Sequence, residues 1–328
     1  MKGISGLVRA SPHHPCETAK LKTHFRELSV AVVLLLVLGA LAVFAPSFYE
    51  PQPLLSLVTR EAPTLVVACG LAIVIISRQI DISVGSQFAV CSVCAGLLAA
   101  AQGPAPLALT APLLLGALIG AVNGFLVAGL RLPSIVVTLA TMVTLREALR
   151  WWQQGQFIHL PNGLQWFGLS QVSGQWVIVG TSLVLLVSFA WGMKHLALGR
   201  FVYAVGSDEE AARLAGLRPR LITFGTFVLL GLLTGLAATL NTVQSPQVDP
   251  KAGTGLELRA IAAIVVGGVA ISGGRGSHWG MFVGLLLLTC IAPALTHLHV
   301  EAYWEKAIQG AIILLAVVAD GWRSRKAT

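Results

Sequence analysis

The feature that most limits what this chain can become is a series of ten apolar runs. They cover residues 28–45, 62–77, 84–101, 107–130, 133–152, 176–193, 221–243, 258–271, 281–295 and 303–319. Each approaches the roughly 17–25 residues that a helix needs to cross a hydrocarbon core. The runs predict an all-α fold, a polytopic membrane helical bundle of about ten transmembrane helices. The eighth and ninth are short and interrupted by glycine, so eight or nine spans also fit. Composition agrees, with 55% hydrophobic and 11% charged residues and a mean hydropathy of +0.80. A soluble protein of this size carries about a quarter charged residues. The 34 glycines suit helices that pack closely in lipid.

Charge orients the bundle. With the N-terminus inside and strict alternation, all but six of the 22 lysines and arginines fall in inside segments. The six on or near the other face are Arg60, Arg146, Arg150, Lys251, Arg259 and Lys306. By the positive-inside rule both termini are cytoplasmic and the number of spans is even. The expected division is a cytoplasmic tail at 1–27, a transmembrane domain at 28–320 with a cytoplasmic loop at 194–220, and a cytoplasmic tail at 321–328. The net charge of +8 collects between apolar runs rather than in a basic patch interleaved with aromatics, which argues against nucleic acid. The outer face gathers Glu50, Glu61, Asp249, Glu257, Glu301 and Glu305. Its longest connection, 153–175, is rich in Gln and Trp. Trp151, Trp152, Trp166 and Trp176 read as an interfacial aromatic belt, with stacking on a pyranose ring as the other reading. Arg146, Glu147 and Arg150 are candidates for contact with an external partner, and interfacial anchoring explains them as well.

At the N-terminus, His13, His14 and Cys16 mimic a metal cluster but read as a flexible tail. Ala40-Leu41-Ala42 resembles a signal-peptidase site, yet the polar region before it is too long, and 28–45 reads as an uncleaved span. Cys69, Cys91, Cys94 and Cys290 lie in apolar runs. Cys91-x-x-Cys94 lacks a second ligand pair and reads as small-residue packing, with no disulfide framework.

One segment breaks the apolar pattern, 199–216, reading GRFVYAVGSDEEAARLAG. Ser207 is placed to cap a helix, with Glu210 completing a capping box. Glu209 faces Arg213 at i,i+4, and Gly216 supplies a left-handed stop. The expectation is a helix of two to three turns outside the bilayer, tethered to it at both ends. It is either a solvated loop helix or a docking helix that receives force from a partner.

No catalytic set is visible: no HExxH, no GxSxG and no intramembrane Ser/His/Asp grouping. A nucleotide-binding GxxxxGK[ST] is also absent. The glycines at 267–268 and 273–276 lack the lysine that would reach phosphates, and read as a tight turn with close helix contacts. If ATP drives this protein, another polypeptide binds it. No cofactor or metal is expected. A few polar groups lie at or near membrane depth. Asp81, between two runs, must cap a helix, pair with Arg78 or line a polar route. Asp81 or Ser83 as N-cap of the third span stands beside a transport role. Asn123, Thr138 and Thr141 are either interhelical hydrogen-bond glue or contacts along a permeation path.

Five stretches then fall in order: IDISVGS at 80–86, NGFLV at 123–127, LPSIVVTLATM at 132–142, LGRFVYAVGSDEEAARLAG at 198–216 and GTGLELRAIAAIVVGGVAISGGRGS at 253–277. Together they resemble the membrane permeases of bacterial sugar ABC importers, the family that serves ribose, xylose, arabinose, rhamnose and autoinducer-2. The similarity runs from about residue 60 to the C-terminus. It implies an inner-membrane permease for a monosaccharide or small polyol, working as a dimer of multi-span subunits. A cytoplasmic ATPase subunit would use ATP-Mg, and a periplasmic sugar-binding protein would dock outside. The resemblance assigns Ser207, Glu209, Glu210, Ala211, Ala212, Arg213 and Gly216 to ATPase coupling. Asn123 and Thr138 carry over to the substrate path, beside Asp81 and Ser83. The family often has a glycine pair where this chain has Arg78-Gln79, a departure closer to the rhamnose and autoinducer-2 branch that leaves the sugar open. The alternative reading is an ATP-independent secondary carrier or channel for a small polar solute.

Overall fold

The computed structural model describes residues 15–161 and 163–297, with positions 304, 306–308, 310, 311 and 314 beyond them. The run at 303–319, the tail at 321–328 and the pair His13 and His14 lie largely or wholly outside the described residues. Helices overlie the other nine apolar runs: α1 (Pro15–Phe44), α2 (Pro51–Ile76), α3 (Val84–Ala100), α4 (Ala105–Gly124), α5 (Ser134–Gln153), α6 (Gln171–His195), α9 (Pro219–Thr242), α10 (Leu256–Val266) and α11 (His278–His297). Between α6 and α9 lie α7 (Ala197–Ser207) and α8 (Glu209–Leu214). Among the described residues, five helices are long and apolar enough to cross a membrane: Pro51–Ile76, Ala105–Gly129, Gln171–His195, Pro219–Thr242 and His278–Thr296. Leu28–Phe44 and Val84–Ala100 are shorter apolar helices.

α2 is the central pole. It starts on Pro51, whose missing N–H is no loss in a first turn. From Glu61 to Ile76 every residue is buried. α9 packs along it, and α9 also forms the closest pair in the fold, with α4. The reason is a row of glycines. Gly116 and Gly120 on α4 face Gly231 on α9, Gly124 lies against Phe224 and Phe227, and a Cβ at Gly116 or Gly231 would collide with the other's carbonyl. Small residues four apart let two backbones touch, which in lipid supplies most of the attraction between helices. The end of α4 relaxes into a π-turn, Phe125–Gly129.

Three segments differ from expectation. The tail expected at 1–27 is helical from Pro15 onward, because no glycine or proline follows until Gly39 and Pro15 suits a first turn. The eighth run, expected to span, forms only the 11 residues of α10. At 1.5 Å per residue that is about 16 Å, half of a hydrocarbon core. Gly255 (φ +86°) precedes it and Gly268 (φ +93°) follows, and the chain turns through Gly273, Gly274 and Gly276 before α11. The third difference is in the connection at 153–175, where an otherwise all-α fold contains a short strand pairing. Its strand β1 (Ile158–His159) pairs antiparallel with β2 (Gln247–Val248), and Ile158 and Val248 pack on Gly96 of α3. Trp151, Trp152 and Trp176 are exposed as the belt requires. The Trp166 side chain instead folds onto Gly174 of α6, and its backbone N–H donates to the Val243 carbonyl.

Candidate transport and coupling sites

The four residues expected along a substrate path converge. Between α2 and α3 the chain runs as an irregular segment beside α5, level with successive turns of it. The Ile80 N–H reaches Ser134 Oγ at 3.3 Å, the Ile82 N–H reaches Thr138 Oγ1 at 3.3 Å, and Ser86 Oγ donates to the Met142 carbonyl at 3.0 Å. Ser134, Thr138 and Met142 are four residues apart, one helical turn each. The hydroxyls of α5 thus satisfy backbone donors that no helix serves. α3 therefore begins level with the middle of α5 rather than at its end.

Ser83 is the junction of this knot. Its hydroxyl donates to Asp81 Oδ1 at 2.5 Å and accepts from Gln87 Nε2 at 2.7 Å and Asn123 Nδ2 at 3.0 Å. Thr141 Oγ1 donates to Asn123 Oδ1 at 2.7 Å, joining α5 to α4. Asp81, Ser83, Gln87, Asn123 and Thr138 are all fully buried. Ser83 holds the N-cap position of α3 but makes no side-chain cap bond, since its hydroxyl is engaged sideways. Asp81 receives the Ser83 N–H at 2.8 Å and pairs with the knot rather than with Arg78. Burial in this segment, outside both flanking helices, pushes the Asp81 carboxyl up, while hydrogen bonds from Ser83, Asn123 and Gln87 pull it down. Chemically the knot holds the Asp81 carboxyl group in place through uncharged partners and locks three helices together. It presents no open face in this conformation.

The expected docking helix is two helices. α7 is amphipathic and runs through Ser207, so Ser207 caps nothing. Its hydroxyl bonds back to the Tyr203 carbonyl at 2.8 Å. The chain breaks at extended Asp208, which caps α8 by accepting from the Glu210 and Ala211 N–H groups at 2.9 and 3.0 Å. The expected capping box therefore does not form. The ion pair on α8 is Glu210–Arg213 at i,i+3 rather than Glu209–Arg213. Gly216 does adopt the left-handed stop (φ +85°). Ala212 is buried, whereas Glu209, Glu210, Ala211, Arg213 and Leu214 are exposed.

Glycine sets where α7 sits. A Cβ at Gly206 would overlap the Ile76 carbonyl at the end of α2. One at Gly274 would strike Ser207. The Gly274 N–H bonds the same Ile76 carbonyl at 2.9 Å, and Tyr203 OH donates to the Gly276 carbonyl at 2.7 Å. The glycine-rich segment at 273–276 is thus a tight turn, as expected, and its function is to clasp α7 to α2.

Sequence reasoning placed Glu61 and Glu257 among scattered outer acids. Both are buried and paired: Glu61 with Arg259 at 3.0 Å, and Glu257 with Arg146 at 3.2 Å. The Glu257 carboxylate lies on Gly85, where a Cβ could not fit. The signal available was opposite charge at the ends of neighbouring apolar runs. Glu147 and Arg150 form an exposed i,i+3 pair. Cys69, Cys91, Cys94 and Cys290 are free thiols, and among the described residues no group of His, Cys, Asp or Glu could hold a metal.

A helical bundle tied by polar knots, with several helices long and apolar enough for a bilayer, defines the class as a multi-pass membrane protein. Residues 54–317 match the family described as branched-chain amino acid transport system / permease component, and the chain belongs to it. It is similar to the ribose import permease protein RbsC of Escherichia coli (strain K12), 32% identical over 304 residues, covering 91% of this chain and 95% of that protein. The autoinducer 2 import system permease protein LsrC of Escherichia coli (strain K12 / DH10B) is 37% identical over 298 residues, 89% of this chain and 85% of that one. LsrC of Enterobacter sp. (strain 638) is 34% identical over 297 residues, 90% and 87%. No solved structure matches the chain. Its place is the inner membrane, as a multi-pass permease.

Proposed function

We propose that this chain is the permease subunit of an ATP-driven, binding-protein-dependent importer of a monosaccharide or similar small polyol. The single observation that carries the coupling is the seating of α7 against α2 and the 273–276 turn, with α8 exposed beyond it. A push on α8 reaches the central pole without an intervening flexible loop. Ser207, Glu209, Glu210, Ala211, Ala212, Arg213 and Gly216 then belong to the coupling surface. Leu214, exposed on a short polar helix, adds an apolar anchor for a partner groove. The relatives named for ribose and autoinducer-2 support a small polyhydroxylated cargo.

In this reading both termini and the 194–220 loop are cytoplasmic, and about ten helices cross the membrane between the tails. The ATPase is a separate polypeptide that uses ATP-Mg, a periplasmic binding protein supplies the cargo, and a second permease subunit completes the path. Asp81, Ser83, Asn123 and Thr138 hold the walls of that path in register. Rigid-body movement of the ATPase alternates access through α7 and α8. Charge reversal of Glu209 and Arg213 together is expected to uncouple ATP hydrolysis from uptake while membrane insertion stays normal. Wild-type uptake by that variant contradicts the coupling role.

A further inference from the structure

α10 is a short rod with glycine joints at both ends. Left-handed Gly253 and Gly255 precede it, and Gly268 follows. Its far end packs on α11, where Gly267 meets the Gly280 carbonyl and Gly284 meets the Ala263 carbonyl. From there the chain enters the 273–276 turn, which is fastened to α7 by Tyr203 and to α2 by Ile76. One end of the rod is therefore tied to the segment that receives force.

The other end is held by charge. Glu257 and Arg259, two residues apart, point to opposite sides of the first turn. Glu257 reaches Arg146 on α5 and Arg259 reaches Glu61 on α2. The carboxylates are 8% and 7% exposed, whereas Arg146 and Arg259 keep 37% and 21%. Buried ion pairs of this kind are poor sources of stability, because well-packed apolar residues of equal volume do as well or better. In some proteins such pairs serve instead to specify one arrangement against another. Two on a single turn, reaching two different helices, fit a part that changes partners. The partly exposed guanidinium groups can regain water when the pairs open, which lowers the cost of release.

We propose that Glu257–Arg146 and Arg259–Glu61 form a clasp that holds the mid-bundle end of α10 between α5 and α2, and that its release is a required step of the transport cycle. This rests on the ATP-coupled import proposed above. Displacement of α7 draws on α10 through the glycine turn, the clasp opens, and the start of α3 at Gly85 is freed with it.

The test uses the assembled importer in proteoliposomes. One variant carries Glu257→Gln with Arg146→Gln, a second Glu61→Gln with Arg259→Gln, and a third exchanges the charges as Arg146→Glu with Glu257→Arg. Removing both partners avoids stranding a charge. The neutral variants are expected to raise ATP hydrolysis without binding protein about fivefold and to lower uptake per ATP to match, while the exchanged pair recovers most of the loss. Neutral variants that are monodisperse yet keep wild-type hydrolysis and uptake per ATP overturn the clasp. So does an exchanged pair no better than the neutral one. If the wild type itself shows no ATP-dependent uptake, the import reading fails separately. The clasp is then read in the permease alone, by maleimide labelling of Ala260→Cys, a position fully buried on the first turns of α10, in a background without other cysteines. Labelling about fivefold faster in the neutral variants supports it, and equal rates overturn it.

Discussion

At the scale of single residues, Ser83 carries more of the fold than its size suggests. One hydroxyl serves Asp81, Gln87 and Asn123, and none of the three has water to turn to. Ser83→Ala is expected to destabilise the protein by about 1–3 kcal/mol, the cost of leaving buried donors unmet. Ser92 makes the control, since its buried hydroxyl has no hydrogen-bond partner and Ser92→Ala should leave stability unchanged or raise it. Thermal unfolding in one detergent, followed for both variants, checks the contrast. Asp81, Ser83, Asn123, Thr138 and Thr141 were legible in the sequence because polar groups are costly at membrane depth, whereas Gln87, one turn into α3, was missed. Their convergence was not legible, since it depends on the 77–83 segment running along α5. Ser207 and Asp208 show a similar limit. Both residue types cap helices well, and only the run of α7 through Gly206 to meet Ile76 decides between them.

Elements were legible where an apolar run and its flanking breakers agree. α4, α6, α9 and α11 fall within a few residues of their runs, whereas α2 begins at Pro51, well before the run at 62–77. α10 was misjudged because its apolar run continues to Ile271, while the helix stops at glycines that take left-handed turns. Hydropathy does not register backbone conformation. The polar segment at 199–216 was expected as one helix, and the break at Asp208 makes it two. The pairing of α4 with α9 supplies the prediction at this scale. Gly231→Leu would drive a branched side chain into the Gly116 carbonyl, where no flexible side chain can yield. It is expected to abolish monodisperse folded protein in detergent. The same change at Gly225, which has open space around it, should be tolerated. Gel-filtration profiles of the two variants separate the outcomes.

At the scale of the molecule, the bundle has three tied regions: α7 against the end of α2, α10 between α2 and α5, and the Ser83 knot where α3 begins. Charge asymmetry in the sequence sets the expected orientation, and close glycine contacts join α7 to the end of α2 and to the 273–276 turn. Which helices touch was beyond reach of the sequence, because apolar faces in a membrane chain resemble one another. The central claim is that this permease moves its cargo only when an ATPase acts on it. The most direct measurement is uptake of radiolabelled ribose, and separately of autoinducer-2, into proteoliposomes. These hold the permease alone or together with its ATPase and binding protein, with ATP supplied on the ATPase side. Uptake of at least one cargo that requires all three proteins and ATP is the predicted result. Gradient-driven uptake by the permease alone would contradict it.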